Sequence, residues 1–271
     1  MKVLERFGLP KRGQGEANGD ALYVGRDHVA VIDGATPKDS RTWDSMPADA
    51  FVAGCLARGM ARLSARDDCR SAFLALAREV RARCAELGRD VTALPVNQCP
   101  QASVVIYSAA RREVWRIGDC PFSVDGDEDR GTKLVDRLLG DLRAMAHAVD
   151  EARAEGGEGP MWAPDPRVAI MPFLEQQSWL ANRRGEFGYG VFTGRDDCVG
   201  FAETYPVEPG SHVVLASDGY PRLFDTLERS EAHLASLLRE DPGCYDGLRG
   251  TKGIAPGNVS YDDRTYVSLI A

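Results

Sequence analysis

The sequence predicts an α+β protein built from antiparallel sheets that helices cover. Three observations carry that prediction. Two helical patterns follow one another directly, at residues 47–63 and 69–87, with no strand between them. Two strands at 103–107 and 113–117 are separated by a loop short enough for a hairpin. The glycine pair Gly13 and Gly15 precedes the first clear strand instead of following it, which disfavours a dinucleotide-binding βαβ unit. Hairpins interleaved with helix pairs belong to α+β architecture, not to regular parallel winding.

The elements follow from periodicity. Val29, Ala30, Val31 and Ile32 form an apolar run ending in Asp33-Gly34, as in a strand buried on both faces. Phe51, Val52, Cys55, Leu56, Met60 and Leu63 recur at helical spacing, as do Phe73, Leu76, Val80, Cys84 and Leu87. A third helix is expected over 133–154, with Leu134, Leu138, Leu142, Met145 and Val149 as its apolar face. Residues 155–166 are rich in Gly, Pro and acid and read as a loop or linker. Strand signals return from Tyr189 and are strongest at Val213, Val214, Leu215 and Ala216. A helix around 223–239, with Leu227, Leu234 and Leu238 on its apolar side, and a last strand over 265–270 complete the chain. There is no internal repeat.

Composition narrows the function. With 271 residues the chain is long enough for a large single core. Hydrophobic residues make up 44% and charged residues 27%, ordinary globular values that exclude global disorder. The formal charge of −8 argues against nucleic acid as the main partner, because phosphate backbones need a basic face. No stretch approaches the length of an apolar membrane span. Residues 1–10 lack the basic-then-apolar pattern of a signal peptide. The seven cysteines include no C-x-x-C pair, and an odd number fits reduced thiols. A cytoplasmic protein without a membrane partner is the expectation.

Four apolar strands carry an aspartate at one end: Asp33, Asp119, Asp218 and Asp262. Three of these touch a glycine, and Asp-Gly is also a favoured hairpin turn. Context weakens that alternative where no strand follows directly, after Gly34 and after Gly219. It stays open at Gly118-Asp119, where Phe122, Ser123 and Val124 offer a return strand. Carboxylates gathered at adjacent strand ends repel unless a hard cation sits among them, and Mg²⁺ or Mn²⁺ suits an all-oxygen set. Zinc is disfavoured, since His28, His147, His212 and His233 are scattered and pair with no cysteine at ligand spacing.

Asn18-Gly19-Asp20-Ala21, Val31-Ile32-Asp33-Gly34, Ile117-Gly118-Asp119, Ala216-Ser217-Asp218-Gly219 and Asp262-Asp263-Arg264-Thr265 stand in the order found in type-2C, or PPM, metal-dependent phosphatases. From about Asn18 onwards the chain resembles that family. The resemblance implies one α-β-β-α sandwich over 1–271, two antiparallel sheets flanked by helices, with a variable flap around 155–190. It implies two Mg²⁺ or Mn²⁺ ions: Asp33 bridging, Gly34 giving its carbonyl, Asp218 and Asp262 completing one shell, and Asp20 serving the other. Asp119 matches a residue that helps hold a third, weaker metal in some relatives. Two ions about 3.5–4 Å apart activate a shared water and clamp a phosphate for in-line attack. The implied activity is hydrolysis of phosphoserine or phosphothreonine on a protein.

Departures from the family accompany the resemblance. Gly19 stands where an acid is usual, Ala35 where many relatives have a histidine, and Arg222 where a third-metal ligand often falls. Arg12, with Lys11 beside it, is the candidate phosphate-binding residue. Trp162, Trp179, Arg183 and Arg184 in the flap are candidates for substrate capture or for simple lid packing. The core dinuclear set is intact and the accessory set is not. The competing functions are a phosphatase-fold binding or regulatory module without turnover, and a metal-dependent hydrolase of small phosphate esters.

Overall fold

The computed structural model describes residues 1–37, 40–131 and 133–271. Among these residues, twelve strands and five α-helices follow in chain order: β1 (Lys2–Leu9), β2 (Asp20–Val24), β3 (His28–Gly34), the short ribbon β4 (Thr42–Trp43) and β5 (Met46–Pro47), α1 (Ala48–Met60), α2 (Cys69–Glu86), β6 (Ala102–Ser108), β7 (Glu113–Ile117), β8 (Phe122–Val124), β9 (Asp127–Asp129), α3 (Leu134–Glu155), α4 (Met171–Gln176), β10 (Glu203–Pro206), β11 (His212–Ala216), α5 (Leu227–Glu240) and β12 (Arg264–Ile270).

Two five-stranded antiparallel sheets form the centre. One runs β1-β12-β11-β8-β9 and the other β10-β7-β6-β3-β2. The period-2 alternation of a strand sorts side chains into separate cores. From β3 and β6, Val29, Val31, Val105 and Tyr107 meet Val213, Leu215, Val267 and Leu269 of the facing sheet. Their neighbours Ala30, Ile32, Val104 and Ile106 point the other way, onto Phe51, Leu56, Phe73 and Leu76 of α1 and α2. On the far side, Val214, Ala216 and Tyr266 pack against Leu234 and Leu238 of α5. The result is the expected α-β-β-α layering. Both faces of β3 and β6 are covered, which explains why their sequences are continuous apolar runs.

Three readings of the sequence change. First, Gly118-Asp119 is not a hairpin turn. β7 belongs to one sheet and β8 to the other, so the segment carries the chain between sheets. Gly118 has φ +99°, and a Cβ there would stand 2.3 Å from Ser103 Oγ, so only glycine fits. Second, Tyr189 and Phe192 make single bridges to Ala181 and Ala102 instead of a strand. Third, α3 turns much of its expected apolar face outward, although Leu134 and Leu142 stay half-buried and Leu142 packs near Ile170 and Leu174. Leu138 is 46% and Met145 59% exposed, Val149 is exposed as well, and Val135, Leu139, Arg143 and Ala146 are buried instead. The helix packs through Leu139 on Ile170 and Leu174. Arg143 donates to the carbonyls of Gly243 and Gly250, tying α3 to the 243–250 loop.

That orientation is testable by urea unfolding. Leu139→Ala should cost about 2–4 kcal/mol as a core truncation. Met145→Ser should stay within about 0.5 kcal/mol, as a surface change does. The reverse ranking would show that the helix buries its other face.

Candidate functional site

The site lies where strand ends of both sheets converge. Asp20 on β2 pairs in register with Asp33 on β3, and Asp33 pairs with Ser103 on β6. From the other sheet, Asp218 follows β11 and Asp262 and Asp263 precede β12. The backbone N–H of Asp218 reaches Asp33 Oδ2 at 3.3 Å, which ties the two sheets together at the site. Gly34 is required by close approach: a Cβ there would lie 2.5 Å from the carbonyl oxygens of both Gly19 and Asp49. Asp33, Gly34, Asp119, Asp218 and Asp262 line one cavity of about 540 Å³, together with Ala35 and Lys133. Asp20 sits beneath, 7% exposed, with Thr265 Oγ1 donating to its Oδ2 at 3.0 Å.

The carboxylates fall into two electrostatic groups. Burial and the charges of its neighbours Asp218 and Asp20 push Asp33 well above the ordinary carboxylate range. Asp218 is pushed up to about 7, by burial first and then by Asp262 and Asp119. Asp20 is pushed up to about 8, chiefly by burial. The second group has its own cations. Burial alone would raise Asp119, but Lys133 Nζ at 2.8 Å from Oδ2 holds it below the usual value. Asp262 is likewise held low against burial by Lys252 and Lys11. Lys11 Nζ also lies 2.9 Å from Asp263 Oδ2.

This division bears on whether divalent ions fit. Every donor at the cavity floor is oxygen, the chemistry Mg²⁺ and Mn²⁺ prefer. Among the described residues no lysine or arginine forms an ion pair with Asp33 or Asp218. Buried anions held so close lack positive charge, and a cation supplies it. As placed, the carboxylates do not form a closed cage of three or more ligands among the described residues. Several are turned to lysines, hydroxyls and backbone N–H groups, so drawing in an ion requires side-chain rotation. The residues fit such ions in kind, with Asp33 and Asp218 the groups most in need of them.

The sequence-predicted residues do not all arrive. Arg12 is exposed and does not line the cavity, while its neighbour Lys11 reaches the acidic cluster. The two are the central residues of the turn that the Gly13 N–H closes on the Pro10 carbonyl, and the Lys11 N–H is itself held by Asp263 Oδ1 at 2.8 Å. Arg222 is exposed beside Phe224, outside the cavity. Arg183 and Arg184 are exposed, and Arg184 donates to the Gly200 carbonyl. The 155–190 segment instead contributes Leu174, Gln177, Ser178 and Tyr189 to the cavity wall. Gly19 is explained by crowding: a Cβ there would stand 3.0 Å from Asp263 Oδ2 and 3.2 Å from Asp49 Oδ2. Those two carboxylates bring negative charge to the place where an acid at position 19 would have stood. None of the four histidines and none of the seven free cysteines lines the cavity. Burial pushes the thiols of Cys55, Cys69, Cys84, Cys99, Cys120, Cys198 and Cys244 up, away from nucleophilic thiolates. Lys133, Lys252 and Asp49 were not singled out from sequence.

Protonation at the cluster predicts a pH dependence. The reference carboxyl value is 3.8, whereas in the fold Asp218 titrates at about 7 and Asp20 at about 8. Both folded values are raised. Their contribution to stability is therefore complete below about pH 4 and is lost as pH rises through the folded values. In a chelator, the melting temperature should fall between about pH 5 and about pH 8, and Asp218→Asn should flatten that slope. A slope that is unchanged in the variant would place the loss elsewhere.

No protein-family model and no curated protein sequence matches the chain. Solved structures do. The serine/threonine phosphatase Stp1 from Staphylococcus aureus is 12% identical, with 100% of this chain and 97% of that one covered and a TM-score of 0.50. MsPP, a PPM Ser-Thr phosphatase from Mycobacterium smegmatis solved in complex with cacodylate, is 20% identical, with 100% and 99% covered and a TM-score of 0.47. The Mycobacterium tuberculosis phosphatase PstP/Ppp is 18% identical, with 98% and 97% covered and a TM-score of 0.44. No helix of the described residues is long and apolar enough to cross a membrane. Two facing antiparallel sheets with helices outside, and an acidic cavity at one end, are the architecture of the PPM-type serine/threonine phosphatases, and this chain has that fold.

Proposed function

We propose that the chain hydrolyses phosphomonoesters with two Mg²⁺ or Mn²⁺ ions held at the acidic cavity, and that its substrate is phosphoserine or phosphothreonine on a protein. The observation that carries this reading is the convergence of Asp33, Asp218 and Asp262 on one cavity, with no ion pair to Asp33 or Asp218 among the described residues. Asp33, Asp218 and Asp262, with the Gly34 carbonyl and Asp20, would hold the ions. Bound there, the ions would supply an activated water and neutralise the phosphoryl group.

The chain's own residues set the remaining conditions. Asp33 is fixed by β3 and by the N–H of Asp218, so the carboxylates keep their spacing. Tyr261 donates to the Asp218 carbonyl at 2.7 Å and braces the turn after β11. Lys133 and Lys252 present ammonium groups in the same cavity, where a phosphoryl oxygen can be gripped. No cysteine or serine–histidine pair serves as a covalent nucleophile at the cavity, which agrees with direct attack by water. The competing reading, a binding module without turnover, draws on the lysines that already neutralise Asp119, Asp262 and Asp263.

Turnover separates these readings. With Mn²⁺ the wild type should hydrolyse a phosphopeptide, and Asp218→Asn should lose both activity and most Mn²⁺ binding by calorimetry. Bound metal without turnover of any ester would favour the binding module. Ala35 lines the cavity, where a histidine would reach the leaving group. General acid help is worth about 10²–10⁴-fold. Activated aryl phosphates should therefore turn over much faster than phosphoserine peptides, and Ala35→His should narrow that gap through kcat on the peptide. Equal rates in the wild type would mean that another group supplies the proton.

A further inference from the structure

Asp119 is neutralised from within the chain, and the group that does so is held firmly. Lys133 directly precedes α3, so its backbone is anchored by a 22-residue helix. Its side chain is 15% exposed, with Nζ 2.8 Å from Asp119 Oδ2 and 5.2 Å from the centre of the Tyr189 ring. Ser103 Oγ donates to the other carboxylate oxygen, Oδ1. Both oxygens of Asp119 are thus taken by donors fixed on separate elements. Ser103 is itself held in place on β6, facing Gly118. A divalent ion at Asp119 would have to expel a buried ammonium or lie against it, and either arrangement puts like charges together out of water.

We propose that Lys133 is a resident cation of the site: its ammonium occupies the place at Asp119 that a further divalent ion would otherwise take. This rests on reading the cavity as a metal-dependent phosphatase centre. The consequence is a division of labour. Exchangeable ions serve Asp33 and Asp218, and a covalently tethered charge serves Asp119. An ammonium has three donors. Asp119 engages one of them, the charge of Asp136 lies near as well, and Lys133 lines the cavity. That part of the positive charge offered to a phosphoryl group does not vary with metal concentration.

Metal stoichiometry tests the assignment without reference to activity. Mn²⁺ would be titrated calorimetrically, with native mass spectrometry counting bound ions, in wild type, Lys133→Met and Asp119→Asn. The wild type and Asp119→Asn should each bind about two ions, as a dinuclear centre requires. Lys133→Met should bind one more, because Asp119 then lacks a countercharge. An unchanged count in Lys133→Met would overturn the role of Lys133 and leave the metal centre standing. Loss of an ion in Asp119→Asn would show that Asp119 is a ligand in the wild type and would also overturn it. No Mn²⁺ binding in the wild type would remove both the inference and the reading beneath it. Should Lys133→Met fail to fold, Asp119→Asn alone still decides, and Lys133→Arg, which keeps the charge, should match the wild-type count.

Discussion

Mutual repulsion of carboxylates in a confined cavity is the constraint on which the rest of this structure depends. Two like charges 4 Å apart cost about 1 kcal/mol in water and about 4 kcal/mol at the effective dielectric near a protein surface. Neighbouring carboxylates help raise the pKa of three aspartates: Asp262 and Asp263 act on Asp20, Asp218 and Asp20 on Asp33, and Asp262 and Asp119 on Asp218. A loop could not hold such a set, because it would relax outward. Here each acid sits at the end of a strand whose backbone is locked into a sheet. The repulsion is therefore borne by the core.

The sandwich supplies that rigidity through its two middle strands. The apolar residues of β3 and β6 are essentially unexposed and serve two cores at once, one between the sheets and one beneath α1 and α2. A shift of β3 along its axis would disturb both cores together. The position of Asp33 is thus set by apolar packing that never touches the site. Peripheral segments do different work. The residue before α3 and the loop at 246–252 bring Lys133 and Lys252 to the cavity, and the 155–190 segment closes one wall. Frame and countercharge come from separate parts of the chain.

This separation explains what could be read from the sequence and what could not. The strands β3, β6, β7, β11 and β12 announce themselves because burial on one or both faces demands apolar residues, and their terminal aspartates follow directly. Burial signals the element but not always its direction. In α3 the apolar stripe Leu134, Leu138, Leu142, Met145 and Val149 has helical spacing, yet only Leu134 and Leu142 of it are half-buried and the helix fully buries Val135, Leu139 and Arg143 instead. Arg143 defeats a hydrophobic pattern because one end of its guanidinium donates to the carbonyls of Gly243 and Gly250. β1 escapes notice because Glu5 points inward, accepting from the Leu227 N–H and Ser268 Oγ, so the alternation appears broken. The lysine partners are illegible for a further reason. Lys133 and Lys252 leave irregular segments, where no period relates a side chain to its target. Arg12 and Lys11 lie together in the turn after β1, and it is the contact of Lys11 with Asp263, a long-range partner, that separates them.

Within the acidic cluster, the structure sorts the aspartates by countercharge. Asp119, Asp262 and Asp263 have tethered ammonium groups, whereas Asp33 and Asp218 have none among the described residues. A tethered cation and a diffusible one are not equivalent. The first is present whenever the protein is folded, costs side-chain entropy once, and cannot be exchanged. The second contributes only as far as its concentration and affinity allow. An acid that must merely be tolerated is best served by the first. An acid that must deliver charge to a reaction centre, and be emptied and refilled, is best served by the second. By that criterion the two sheets meet at the working pair, because Asp33 ends β3, Asp218 ends β11, and the 3.3 Å hydrogen bond between them joins the layers. The carboxylates without an ion pair among the described residues therefore lie where the two sheets are tied together, and the neutralised ones lie towards the segments that carry Lys11, Lys133 and Lys252.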